Sequence, residues 1–279
     1  MGTSASGTGP KGKTPLLPSW ANGSGNSPET EEDENNQQSD NTSNETVDSK
    51  PETVPSQKLS GTKSILTRIS NGGSGSSFKT FAKSYIKSSG GSRAATKSSI
   101  AGINVGRNYL GFLSGVSNDG LNETLQKYDL SDCIGKSSEE VIAKIADRIA
   151  PIGSTNDEAI ARAAVMIAFD RLYEKVLDSG RNIESLDNID SETLSDTVVE
   201  FVSAYIFKKW VYEAGIALEK NDLTESEAIK LENEMRFFIR DEVKNGFKKT
   251  DISKIDLAQG EGRKIIEDIF ELAYSTLEK

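Results

Sequence analysis

The sequence predicts an all-α protein: a helical, bundle-like C-terminal domain preceded by a long, mostly disordered N-terminal region. Three observations lead there. Residues 1–107 are dominated by Ser, Gly, Thr and Asn and carry few large apolar side chains. Such a segment buries too little surface to offset an ordering cost of about 1–2 kcal/mol per residue. From Asn108 onward aliphatic and aromatic residues recur at helical spacing among charges of both signs, without a convincing run of period-two alternation. Several of these runs are also headed by Ser/Thr-x-x-Glu, the box in which a side chain and a backbone amide at each end satisfy one another.

Charge divides the chain into four expected blocks: a terminal peptide (1–20), an acidic low-complexity linker (21–57), a basic Gly/Ser-rich flexible arm (58–107) and an all-helical domain (108–279). Glu29 to Glu52 holds nine carboxylates against Lys50 alone, the pattern of a solvated, self-repelling linker. Lys58 to Arg107 holds nine cations and no carboxylate. Residues 108–279 carry 34 acidic and 21 basic residues. A basic arm therefore abuts an acidic domain, and it either associates with that domain or takes a separate anionic partner.

Within the helical block the elements follow in order. The stretch SSIAGINVGRNYLGFLSGV, Ser98 to Val116, spaces Gly102, Gly106, Gly111 and Gly115 by four and five residues. It reads as a glycine-weakened helix or strap packed on the domain, or as a short membrane-associating helix. Ser137 with Glu140 opens a helix that places Val141, Ile142, Ile145 and Ile149 on one face, with Pro151 as its stop. Thr155 with Glu158 opens another, with Ile160, Ala164, Ile167, Ala168, Leu172 and Val176 on a face and Gly180 as its end. The run from Ser191 to Lys220 is the most apolar of the chain; Leu194, Val198, Phe201, Val202, Tyr205, Ile206, Trp210 and Val211 form a broad stripe suited to a central helix. Helices from Thr224 to about Phe247 and from about Gln259 to Leu277 complete the block, with Asn245-Gly246 and the Gly260/Gly262 pair as possible breaks.

The inventory excludes much chemistry. Histidine is absent, which removes Ser-His-Asp triads, histidine general bases and imidazole metal sites. Cys133 stands alone, so no intramolecular disulfide forms. Met1 to Trp20 lacks the apolar core of a signal peptide, and no run approaches the roughly 18 apolar residues of a membrane span. A cytoplasmic protein without cofactor or metal is expected. No P-loop or dinucleotide fingerprint occurs, and Glu139-Glu140, Glu232/Glu234 and Asp241-Glu242 read as solvated helix faces.

Two stretches carry candidate function. At the start, MGTSAS would expose Gly2 once Met1 is removed, an unhindered α-amine whose pKa near 8, against about 10.4 for Lys, makes it the better nucleophile near neutrality. Further on, PLLPSW offers Pro15, Leu16, Leu17, Pro18 and Trp20 as a docking peptide, pre-restricted by its prolines and anchored by Trp20; packing on its own domain is the other reading. The second stretch is FKTFAKSYIK, where Phe78, Phe81 and Tyr85 interleave with Lys79, Lys83 and Lys87. With Arg93, Lys97 and Arg107 these cations are candidate nucleic-acid contacts, or contacts to the acidic domain or a protein.

TPLLPSW after MGTS, then FKTFAKSYIKSSGGSRAATKSSIAG, then DEAIARAAVMIAFDRLYEK, in that order, resemble the QatB family of the bacterial Qat anti-phage defence system. The resemblance implies a non-enzymatic protein working beside QatC, an enzyme similar to 7-cyano-7-deazaguanine synthases (QueC-like), with an ATPase and a TatD-like nuclease in the same system. It further implies Gly2 as acceptor of a deazaguanine group, Thr3 and Ser4 as residues entering the enzyme's channel, and Pro15 to Trp20 as its grip. The rival expectation is an adaptor that binds or senses nucleic acid through residues 58–107.

Overall fold

The computed structural model describes residues 59–73, 77–178, 186–187, 190–215, 223–248 and 262–279. Among them ten α-helices occur and no strand. In chain order they are α1 (Ser60–Ser70), α2 (Phe78–Ser88), α3 (Ser92–Lys97), α4 (Ile100–Asp119), α5 (Leu121–Lys127), α6 (Ser138–Ile149), α7 (Asn156–Asp178), α8 (Ser191–Ala214), α9 (Glu225–Phe247) and α10 (Gly262–Leu277). Gly2, Thr3, Ser4, the PLLPSW peptide, the acidic linker and the expected stops Gly180 and Gly260 lie outside the described residues.

Local chemistry places the helix starts where the sequence sets them. Thr224 and Glu227 form the full reciprocal box at α9. At α7, Glu158 N–H donates to Thr155 Oγ1 (3.2 Å) while its carboxylate accepts from Thr155 N (2.9 Å). Ser137 caps α6 by accepting from Glu140 N, but the Glu140 carboxylate pairs with Lys136 instead of turning back. Asp190 caps α8 through Thr193 N–H.

The centre of the bundle is α8, packed against α4, α7 and α9. Thr197 through Phe207 are buried without interruption, so this helix is covered on every side rather than along one stripe. The face expected on α6 points inward, with Val141, Ile142, Ile145 and Ile149 buried; of the face expected on α7, Ala164, Ala168 and Leu172 are buried and Ile160 and Ile167 half-buried.

The four-glycine stretch is α4, and its glycines set helix spacing. A Cβ at Gly102 would stand 2.7 Å from Tyr205 Cε2, and one at Gly106 would stand 2.8 Å from Phe201 Cε1, so α4 lies against α8 at a distance no larger residue permits. Tyr109, Phe112 and Leu113 on α4 are buried in the same core, which leaves no apolar face for a bilayer. Among the described residues no helix is long and apolar enough to cross a membrane. Helix α9 ends at Phe247, where the sequence places its end, one residue past Gly246, and Gly246 lies where α9 meets Thr276 of α10.

The expected border at 107/108 falls inside α4, and the described part of the expected flexible arm is helical and packed. Leu59, Leu66, Phe81, Ala82, Tyr85, Ile86 and Ala95 all belong to the core. In α2 the apolar residues Phe78, Phe81, Ala82, Tyr85 and Ile86 recur at i, i+3, i+4, i+7 and i+8, one complete helical stripe inside a segment whose average composition is polar. Thr62 of α1 lies 2.9 Å from Ser84 of α2 through their hydroxyls, and the two helices pair as a hairpin.

Candidate functional site

The six candidate cations are all exposed: Lys79, Lys83 and Lys87 on α2, Arg93 and Lys97 on α3, Arg107 on α4. Arg93 reaches Glu271 of α10 at 3.1 Å, a solvent-exposed pair. Their expected aromatic companions do not join them. Phe81 and Tyr85 pack on Trp210 of α8 with ring centroids 5.2 Å away in both cases, and Phe78 stacks on Phe238 of α9. Burial removes Phe81 and Tyr85 as platforms for unpaired bases, while Phe78 is half-buried and stacked on Phe238.

Beneath this face runs a buried polar seam that sequence reasoning missed. It joins the C-terminus of α3 to the start of α4. Lys209, 5% exposed in the C-terminal part of α8, donates to the Ser98 carbonyl at 2.6 Å and lies 3.5 Å from Asp157 Oδ1. Asp157, on the first turn of α7, accepts from Ala101 N–H through Oδ2 (3.2 Å) and from the Tyr205 hydroxyl through Oδ1 (2.5 Å). A cation thus meets the carbonyl end of α3 and an anion the amide end of α4, each matched to the helix dipole it faces. Ser99 between them shares a hydrogen bond with Tyr274 of α10 at 2.9 Å. Further along α8, Glu213 accepts from the Tyr85 hydroxyl and ties the hairpin to the body.

Burial pushes the Tyr85 and Tyr205 phenols well above their usual range, with Glu213 and Asp157 respectively adding to the effect. Burial likewise raises the Glu213 carboxyl, against the opposing hydrogen bond from Tyr85. A second buried charge, Glu200 on α8, faces α9, where Arg236 reaches Oε1 at 3.2 Å and Arg240 Nε approaches Oε2 at 2.9 Å. The sequence signal for both sites is a charge inside the most apolar run, Glu200 and Lys209 in VVEFVSAYIFKKW. A charge at a buried helical position implies a partner, though not which one.

A cleft of about 400 Å³ opens beside the seam, lined by Ile100, Val105, Asn108, Ile149, Pro151 and Asp157 among others. Both Asp157 oxygens are already engaged, and Asn108 donates to the Ile149 carbonyl at 3.1 Å, so the cleft presents no free base or nucleophile from these groups. A second groove of about 410 Å³ includes Glu200, Arg236, Arg240 and the exposed Phe237. Among the described residues no group of three or more Cys, Asp or Glu is placed to hold a metal ion.

Comparison with known families decides the assignment: the family model described as Qat anti-phage system associated protein QatB matches residues 90–277. The chain belongs to the QatB family. The match takes in α3 through α10, and with them Lys209, Asp157, Tyr205, Ser99 and Tyr274; the α1–α2 hairpin and the first twenty residues precede it. The family's description names a component of an anti-phage system. No curated protein and no solved structure matches the chain.

Proposed function

We propose that this protein is a non-enzymatic Qat component that binds the QueC-like enzyme QatC and presents its own N-terminus as the substrate for deazaguanine conjugation at Gly2. The observation that carries the reading is membership of the QatB family joined to the opening MGTSAS…TPLLPSW. An α-amine of pKa near 8 is the most nucleophilic amine the chain offers near neutrality. An enzyme that activates a deazaguanine carboxylate with ATP would transfer the acyl group to that amine, forming an amide and releasing the activating group with the amine's proton. Thr3 and Ser4 are small enough to follow Gly2 into a narrow channel. Pro15, Leu16, Leu17, Pro18 and Trp20 then grip the enzyme surface, losing little entropy because two prolines already restrict them. The ATPase and the TatD-like nuclease of the system act on the conjugate or alongside it, in the cytoplasm.

The test is peptide-level mass spectrometry of the protein produced with and without its neighbouring genes. An added mass on Gly2 that requires the QatC-like enzyme supports the reading. An unmodified Gly2 in the presence of active partners overturns it.

A further inference from the structure

We propose that the α1–α2 hairpin holds double-stranded nucleic acid by its phosphate backbone, through the lysine row on the outer face of α2. This inference stands apart from the N-terminal reading and uses no residue of it.

The first argument is spacing. Lys79, Lys83 and Lys87 are exposed at i, i+4 and i+8, so they form one row along α2 that rises about 6 Å per step. Among the described residues none of the three is in an ion pair, and no carboxylate occurs from Leu59 to Arg107. A row of unneutralised cations on a rigid helix suits a polyanion whose charges also repeat regularly.

The second argument is what the face lacks. A binder of single strands needs exposed rings on which bases stack. An interfacial membrane helix needs an apolar face to sink among acyl chains. A protein interface draws most of its affinity from aromatic or Arg anchors that become buried. On α2 every large apolar side chain is already used: Phe81 and Ile86 are 0% exposed, Tyr85 is 2% exposed, and Phe78 is stacked on Phe238. The exposed residues of α2 are Lys79, Thr80, Lys83 and Lys87, a charged and polar face that positions a nucleic-acid backbone without reading its sequence. Arg68 on α1, Lys97 on α3 and Arg107 on α4 are further exposed cations of the same carboxylate-free segment.

The third argument is anchorage. The hairpin is fixed to α8 by Phe81 and Tyr85 on Trp210 and by the Tyr85–Glu213 hydrogen bond. The row is thus held by the core, and removing its charges leaves that anchorage intact.

The experiment is fluorescence anisotropy of the full-length chain with a labelled 30-base-pair duplex and with a single strand of equal length, between 50 and 200 mM salt. Each phosphate contact contributes about −0.9 to the slope of log K against log salt. The triple variant Lys79→Gln, Lys83→Gln, Lys87→Gln should therefore lose about 2.7 from that slope and bind the duplex at least tenfold more weakly at 50 mM salt. Lys230→Gln on α9 should leave both unchanged. Circular dichroism checks that the triple variant keeps its helices. Duplex affinity indifferent to the triple substitution, or absent at 50 mM salt, overturns the proposal. So does tighter binding of the single strand. Flotation with phosphatidylserine vesicles that depends on the three lysines, without duplex binding, overturns it in favour of a membrane surface.

Discussion

Helices α2 and α8 solve the same problem with opposite resources. Central α8 is buried all round from Thr197 to Phe207, so no single stripe orients it, and its position is specified by the few places where neighbours fit closely: Gly102 and Gly106 of α4 against its rings, Arg236 and Arg240 of α9 around Glu200. Peripheral α2 has a single apolar stripe in an otherwise Lys/Ser-rich segment, so its orientation is fixed by pattern and its stability is borrowed from α8. Average composition predicts whether a segment can fold alone, and periodicity predicts whether it can fold against something else.

Removing the ring on which the two regions meet should have the largest effect. Trp210→Ala takes away the side chain touched by both Phe81 and Tyr85 and should cost about 3–5 kcal/mol. Hydrogen exchange should then show α1 and α2 opening well before α7 and the middle of α8. Equal loss of protection in α2 and α7 would mean that the hairpin is no separable unit and that the contrast drawn between the regions fails.

An intermediate effect is expected inside the body. Gly102→Ala drives a methyl group into the Tyr205 ring and should cost about 1–3 kcal/mol by overpacking. Since Tyr205 also donates to Asp157, the change should disturb the α3/α4 junction and leave α2 protected. A variant as stable as the parent in urea would show that α4 can retreat from α8.

The smallest effect concerns the polar tie between the regions. Burial raises the folded-state pKa of Glu213 above its ordinary value, with Tyr85, Lys209, Asp157 and Lys63 as the neighbours that modulate it. A raised carboxyl binds its proton more tightly in the folded chain, so its contribution is complete below the usual carboxylate pKa and is lost as pH rises through the folded-state value. Glu213→Gln keeps an acceptor for the Tyr85 hydroxyl and should gain stability relative to the parent as pH is raised from 4 to 7. Thermal melts across that range decide it; a parent that gains on the variant would mean that pairing with Lys209 and Lys63 outweighs desolvation.

How far the sequence was legible follows the range of each interaction. Helix caps at Thr155 and Thr224 act over three residues, and both stand in the structure as the sequence implies. The order of α6 to α9 and the inward face of α6 are legible for the same reason, since a helical period is a local property. The end of α9 at Phe247, beside Asn245-Gly246, is legible in the same way, whereas the contact of Gly246 with Thr276, thirty residues away, is not. The basic segment was misread as a flexible arm because its composition was weighed ahead of the stripe in FKTFAKSYIK, whose counterpart is Trp210. The role of Lys209 is not legible locally, since its partners at Ser98 and Asp157 are remote in the chain.

By itself, then, the sequence determined the all-helical class, the starts of the long helices, the absence of imidazole and disulfide chemistry, the carboxylate-free segment and the resemblance to the QatB family. Tertiary structure decided that this segment is folded from Leu59 onward, that its aromatics face the core while its lysines face water, and that an ion pair spans the joint between α3 and α4. The physical reason is that propensity, capping and charge are written within a few residues, whereas burial is set by which distant helix supplies the other half of the contact.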